Sequence, residues 1–153
     1  MTSDILFAGF SAESLFGFSS QLAMLGWLIL IIFPRKIAAL SIIPQYIIPF
    51  GLSLLYSTLA LIHLLSAEGG FDSLANLRLL FQNDAALLAG WLHYLAFDLF
   101  IGAWIAQQAD ILKISRIVQA PILIATFLLG PIGLALFLVM RSIVLSMEES
   151  KDA

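Results

Sequence analysis

Long apolar runs alternate with short polar stretches along the 153-residue chain. Four of these runs are apolar on every side over about 20 residues, the length that an α-helix needs to cross a bilayer. A transmembrane β-barrel would show short segments of alternating polarity instead. The pattern therefore predicts a single all-α, polytopic membrane domain with four transmembrane helices. The expected helices cover 14–33, 45–65, 85–105 and 117–140, and a short polar tail follows at 142–153.

The connection between the second and third helices is the only long one, and it has its own periodicity. Two adjacent glycines can end the second helix, since glycine readily adopts the left-handed conformation found at helix C-termini. Leu74, Leu77 and Phe81 then recur on one helical face. This pattern predicts a short amphipathic helix at 72–82 that lies at the membrane interface. The helix is either a plain connector or a lid over a lateral entrance for lipid.

Composition agrees with this picture and excludes several classes of function. Hydrophobic residues make up 61% of the chain and charged residues 11%, whereas a soluble domain has about 25% charged residues. A soluble cytosolic enzyme and a disordered chain are therefore both excluded. The net charge of −3 provides no basic surface for nucleic acid. The chain has no cysteine, which excludes disulfides, thiolate metal sites and cysteine nucleophiles.

The basic residues give a weak indication of orientation. Arg35, Lys36, Lys113 and Arg116 lie in the first and third connections, which we expect to face the cytoplasm or stroma. The residues before the first helix include no Lys or Arg, which a secretory signal would carry, so we interpret that helix as a membrane span. With no transit peptide recognised either, we expect a bacterial, organelle-encoded or already mature protein.

Ionisable residues inside the apolar runs are the main candidates for a functional site, because a charge in hydrocarbon is costly. Asp98 lies near the middle of the third helix, and His93 lies about 13 Å from its start at 1.5 Å per residue. Five residues at 100° place these two side chains about 140° apart around a regular helix. Both polar faces should avoid lipid, which predicts a central position for the third helix. Asp98 is alternatively a polar bridge between helices.

The second helix and the connection after it add further candidates. Ser53, Tyr56 and His63 share one face of the second helix. We expect one cavity beneath the connection at 66–84, between this face and the third helix. The remaining candidates for its walls are Glu68, Arg78, Trp91, Tyr94, Phe97 and Trp104. For His63, Glu68 and Arg78, which lie near the interface, an ordinary surface role is favoured over a functional one.

The fourth apolar run contains a helix-breaking sequence. Pro131 lacks the amide donor of an ordinary helical residue and clashes with the preceding turn. Gly130 and Gly133 flank it and remove side-chain bulk. These residues predict a kink. The kink either frees a carbonyl into the cavity or is an ordinary feature of a transmembrane helix.

The run from Leu87 to Phe100, LLAGWLHYLAFDLF, is the most specific motif of the chain. Together with Glu68-Gly69-Gly70-Phe71 and the TFLLGPIG run at 126–133, it resembles the plant neoxanthin synthase family, the abscisic-acid-deficient-four-like proteins. The resemblance implies a small four-helix protein of photosynthetic or carotenoid-bearing membranes, in a thylakoid or a bacterial inner membrane. In plants the family is tied to conversion of violaxanthin into neoxanthin, which isomerises a carotenoid epoxide to an allenic alcohol.

The reaction implied by the resemblance needs an acid at the epoxide oxygen and a base for a proton on the adjacent polyene carbon. A carboxyl group in a low dielectric can be protonated near neutrality, which suits Asp98 as the acid. A buried imidazole tends to stay neutral, which suits His93 as the base, with Glu68 or His63 as substitutes. Aromatic side chains would pack along the polyene. An isomerisation needs no redox cofactor, and we expect no cofactor and no metal.

Two other functions remain open at this point. A non-enzymatic carotenoid- or lipid-binding subunit, either a homo-oligomer or part of a photosynthetic membrane complex, needs the aromatic groove but neither acid nor base. A haem-binding subunit would use His63 and His93 as ligands, although their depths differ by about 9 Å by helical rise. All of these readings share a lipid bilayer and a hydrophobic polyene or ring system as partners, and no nucleic acid.

Overall fold

The computed structural model describes residues 5–35, 37–63 and 66–152. A small antiparallel hairpin comes first, with strands β1 (Ile5–Phe7) and β2 (Phe10–Ser11). The rest is helical, and a π-helical segment, Ile43–Ile47, joins the second and third helices. The helices are α1 (Ala12–Ile32), α2 (Ala38–Ile42), α3 (Ile48–His63), α4 (Leu74–Leu80), α5 (Asp84–Ile111), α6 (Arg116–Leu129) and α7 (Pro131–Asp152).

Four helical segments of the described residues are long and apolar enough to cross a membrane. They are Ala12–Ile32, Leu40–His63, Asp84–Ile111 and Pro131–Ser150. The predicted all-α polytopic membrane fold with four spans is confirmed. Lys36 and the predicted end of the second helix at 64–65 lie outside the described residues.

The fourth predicted helix differs from the structure. The sequence predicts one helix at 117–140, whereas the structure has two helices, α6 and α7, separated at Gly130. A Cβ atom on Gly133 would lie 2.5 Å from the Cα atom of Thr126. Residues seven apart in a continuous helix are separated by about 10.5 Å along the axis. The chain therefore bends sharply at Gly130, which has φ of +37°, and the expected kink is in fact the junction of two helices, the α6–α7 turn.

The connection between α3 and α5 is ordered by capping interactions. Ser73 caps α4 by accepting a hydrogen bond from the backbone of Asn76. The Asn76 amide also donates to the Asp72 carboxylate, which lowers the pKa of that exposed group. Asn83 accepts from the backbone of Ala85 at 2.9 Å and so caps α5. The helix α4 thus occupies the region where the sequence predicts the interfacial helix at 72–82.

The chain divides into two compact units. Unit 1 comprises Met1–Leu25 and Ile47–Phe97, and unit 2 comprises Gly26–Tyr46 and Asp98–Ala153. Apolar side chains form the buried core of each unit. In unit 1 these include Leu15, Leu52, Leu59, Leu88 and Leu92, and in unit 2 Trp27, Leu30, Leu99, Leu123 and Phe137.

Candidate functional site

Three aromatic rings form a stripe in unit 1, which we term the ring stripe. The ring centroid of His93 lies 4.6 Å from that of Phe97, in a stacked arrangement. The ring centroid of Tyr56 in α3 lies 5.7 Å from that of His93. Phe97 is 57% exposed, and His93 is exposed as well. The ring stripe is therefore an accessible surface at the middle of a membrane-spanning helix.

The exposure of His93 is a correction to the expectation that both polar faces of the third helix avoid lipid. Leucine and alanine side chains make the buried face of α5 in unit 1, with Leu92 at 0% and Ala96 at 3% exposure. These residues repeat at helical spacing. His93 follows Leu92 and is turned about 100° from it, so it lies at the edge of the packed face.

Trp91 anchors a second aromatic group of unit 1. Its ring lies 5.4 Å from that of Phe16 and 5.3 Å from that of Tyr94, centroid to centroid. Its indole N–H donates to the hydroxyl of Ser20 at 2.9 Å. A buried indole usually needs such an acceptor. The hydrogen bond therefore ties α1 to α5 in unit 1.

Trp91 also lines a cavity of about 310 Å³ in unit 1. Two carboxylates, Glu13 and Asp84, lie at its wall, each in the first turn of its helix. That position is favourable for an anion because of the helix macrodipole. The other walls are Ala12, Phe16, Leu87 and Leu88. Trp91 is the one predicted site residue in this cavity, and sequence analysis missed Glu13 because nothing local connects α1 to α5.

Three further predicted site residues of unit 1 are Glu68, Arg78 and His63. Glu68 and Arg78 are exposed, as the surface reading of these residues expects. His63 ends α3 and is partly buried, and its Nε2 atom is buried without a hydrogen-bond partner among the described residues. Across 5–35, 37–63 and 66–152, no group of three or more His, Asp or Glu side chains could hold a metal ion.

Asp98, at the middle of α5, belongs to unit 2 and is partly buried there. A Cβ atom on Gly130 would lie 2.7 and 2.8 Å from its two carboxylate oxygens. A side chain at position 130 would force the Asp98 carboxylate to move, so Asp98 packs directly against the α6–α7 turn. Trp104, further along α5, makes an edge-on contact with the buried ring of Phe137 at 5.6 Å. His93 lies in unit 1, beside Tyr56 and Phe97.

A polar network in unit 2, the Arg35 network, was not foreseen from the sequence. The Arg35 guanidinium donates to the carbonyl of Ala106 at 2.6 Å, to Asp110 at 2.8 Å and to the side chain of Gln119. The Gln119 amide donates in turn to Asp110 at 2.9 Å and to the carbonyl of Ile114 at 2.8 Å. Burial lowers the pKa of Arg35, and the nearby carboxylate of Asp110 opposes this shift.

The sequence offered one usable signal for this network. Gln119 interrupts an apolar run and is 1% exposed, and a buried amide needs partners. Its partner Arg35 lies 84 positions away, so no local pattern relates the two. From the sequence alone, Arg35 indicates only the orientation of the chain in the membrane.

Arg116, also in unit 2, binds backbone carbonyls at the C-terminal end of α1. Its guanidinium donates to the backbone carbonyls of Ile31 at 3.0 Å and Phe33 at 2.7 Å. The last carbonyls of a helix have no partner within the helix. A cation at this end is also favourable for the helix macrodipole. Arg116 therefore caps α1 from the start of α6.

Four apolar spans that carry partly buried polar groups define a polytopic integral membrane protein. The sequence profile of the ABA DEFICIENT 4-like family matches residues 14–137. The chain belongs to this family, in agreement with the resemblance of its central motif. No curated protein and no solved structure matches it.

Proposed function

We propose that the protein binds a carotenoid and isomerises an epoxy-carotenoid or a related xanthophyll by acid/base chemistry. Its family membership suggests a carotenoid-related membrane protein. The observation that carries the proposal is the ring stripe, whose rings are open to the membrane at the middle of α5. A polyene is a long apolar rod, and flat ring faces give it a large contact area at little conformational cost.

His93 is the proposed base. It is the one basic group of the ring stripe, and a neutral imidazole nitrogen accepts a proton readily. In the proposed step the base removes a proton from the polyene carbon next to the epoxide. The carbon–oxygen bond breaks, a cumulated double bond forms, and the oxygen takes up a proton and becomes an alcohol. Atoms and electrons balance without a redox partner.

Asp98 is the proposed acid that protonates the epoxide oxygen, and Glu68 and His63 are the proposed substitutes for His93 as the base. A partly buried carboxyl group can supply a proton of this kind. Its close approach to Gly130 also suits a purely structural role, in which the carboxylate holds the α6–α7 turn. Asparagine at this position distinguishes the two roles. Its amide can bridge helices as the carboxylate does, but it has no acidic proton to give to the epoxide.

The first test is conversion of an epoxy-carotenoid by His93→Gln in a host that makes the substrate. We expect a loss of at least about 100-fold, the lower end of what a general base contributes, with bound pigment retained. Asp98→Asn should likewise remove conversion while the protein still folds and binds pigment. Full activity of either variant would show that the substituted residue is not the acid or base of the reaction.

The second test concerns the ring stripe itself. Phe97 and Phe100 are both exposed phenylalanines of α5, at 57% and 45%, but only Phe97 stacks on His93. Phe97→Leu should lower the amount of carotenoid that copurifies in mild detergent, and Phe100→Leu should not. Equal pigment retention in the two variants would contradict binding at the ring stripe.

A pigment-binding subunit without catalytic activity is the second candidate. The ring stripe favours it as well, because binding needs rings but neither acid nor base. Copurified carotenoid with no conversion by the unmutated protein would establish this function in place of the first. The haem alternative predicts a Soret band in the same preparation.

A further inference from the structure

A second cavity, of about 370 Å³, lies in unit 2 beside the Arg35 network. Its volume falls at the lower end of the range for ligand pockets, about 300–1,000 Å³. The lining residues are Leu30, Arg35, Ser41, Gln45, Ala103, Gln107, Asp110 and Ile111. All of them lie near the end of α1, the start of the span Leu40–His63 or the end of α5. The cavity therefore opens at the end of three spans, where lipid headgroups lie.

The charge of this cavity is balanced within its own wall. The guanidinium of Arg35 is paired with the carboxylate of Asp110 at 2.8 Å. Among the described residues, the other polar side chains in the wall are those of Ser41, Gln45 and Gln107, which are uncharged. A phosphate would need a cation that is not already paired. The wall instead suits an uncharged group that donates and accepts several hydrogen bonds.

Two polar groups of the wall have hydrogen-bonding capacity that the described residues do not use. The Gln107 side chain makes no hydrogen bond with any described residue, although an amide offers two donors and an acceptor. The Nε atom of Arg35 is buried and has no partner among the described residues. An unpaired buried donor is costly. A ligand with oxygen atoms could bond to the amide of Gln107, which is the accessible one of the two groups.

We propose that this cavity binds the uncharged sugar headgroup of a membrane glycolipid. Sugar hydroxyls both donate and accept, which matches the side-chain amides of Gln45 and Gln107. The apolar wall of Leu30, Ala103 and Ile111 suits the first carbons of the acyl chains. The headgroup lies at the interface and the chains continue along the spans into the bilayer. This site shares no residue with the ring stripe and does not depend on the proposed isomerase activity.

The test measures which lipid the full-length protein retains. The protein is purified in a detergent without a sugar headgroup and placed in phosphatidylcholine nanodiscs that contain equal amounts of galactosyl diacylglycerol and phosphatidylglycerol. Native mass spectrometry then counts the retained lipids. We expect about tenfold more glycolipid than phosphatidylglycerol, the ratio that one or two net hydrogen bonds provide. Equal retention, or a preference for phosphatidylglycerol, would overturn the proposal.

The chain offers a matched pair of variants for this test. Gln107 and Gln108 are adjacent, partly buried glutamines of α5, but only Gln107 lines the cavity. Gln107→Leu should remove the preference for glycolipid, and Gln108→Leu should keep it. Gln45→Leu provides a second cavity variant if Gln107→Leu fails to fold. A preference that survives in the folded cavity variants would place the lipid elsewhere and refute the site.

One further arm separates a lipid headgroup from a free sugar of the same chemistry. Methyl galactoside has the same ring but no acyl chains. An alkyl galactoside detergent, which has both the ring and a chain, should displace the bound glycolipid. At the same molar concentration, methyl galactoside should leave the glycolipid bound. Displacement by methyl galactoside would show that the ring alone is recognised and would overturn the assignment to a lipid.

Discussion

The close contact of Gly133 with Thr126 provides a direct test of the α6–α7 turn. In Gly133→Ala, the new methyl group would overlap the backbone nitrogen and the Oγ1 atom of Thr126 and would lie 2.5 Å from its Cα. Backbone atoms cannot swing away as the tip of a flexible side chain can. Helix α7 must therefore move away from α6.

The magnitude follows from two opposing effects. Alanine is better than glycine inside a helix by about 1 kcal/mol. Overpacking costs about 1–3 kcal/mol, and a clash with backbone belongs at the upper end. The net expectation is a loss of about 2 kcal/mol in the free energy of unfolding. For a chain of this size, that corresponds to a fall in Tm of about 4–8 °C.

Thermal unfolding in detergent, followed by tryptophan fluorescence and checked by size-exclusion chromatography, measures this effect. Gly17 and Gly51 serve as controls, because no atom lies within 4 Å of a Cβ built at either position. Gly17→Ala and Gly51→Ala should keep or raise Tm, since only the gain in helix propensity applies. Adding Thr126→Ala should not rescue Gly133→Ala, because the overlap includes the backbone. An equal Tm for Gly133→Ala and Gly51→Ala would refute the geometry of the turn.

Three further predictions concern other parts of the fold. Gln119→Leu should lower the free energy of unfolding by about 2–3 kcal/mol, since it removes hydrogen bonds to two charged groups. Gln108→Leu is its control in thermal unfolding, and equal stability of the two variants would contradict the Arg35 network. Trp91→Phe keeps a ring but loses the indole donor, so it should cost about 1 kcal/mol, and an unchanged Tm would argue against its hydrogen bond. Single cysteines at 90–100 should resist aqueous thiol reagents from both sides of the membrane, and labelling from both sides would contradict the span α5.

Hydropathy located most of the membrane fold because lipid requires each span to satisfy its backbone hydrogen bonds within a helix. The predicted helix at 14–33 corresponds to α1, and the one at 85–105 lies within α5. The predicted fourth helix was wrong, because hydropathy did not predict the boundary between α6 and α7. Both sides of the α6–α7 turn are equally apolar, so hydropathy gives no boundary at Gly130. The turn depends on a positive φ and on a close approach between helices, and neither is visible in a hydrophobic pattern.

The candidate site was predictable to the extent that it is local. The stacking of His93 on Phe97 follows from four-residue spacing on one helix, and the aromatic candidates of α5 could be named from the sequence. Which face of α5 is packed could not be read in the same way, because the helix is apolar on every side. The hydrogen-bond partners of Arg35 could not be predicted either, since they belong to α5 and α6 and contact Arg35 only when those helices pack.

The cap on α1 has a consequence for the order of assembly during synthesis. Arg116 binds the carbonyl of Phe33 across 83 positions. At about 5–20 residues per second, a ribosome needs roughly 4–17 s to make the intervening chain. Until then the last turn of the first helix must rely on water or lipid headgroups for its carbonyls. A nascent chain that stops after α5 would hold an inserted but unfinished first helix, so the final stability of the N-terminal span is acquired only when the start of α6 has been translated.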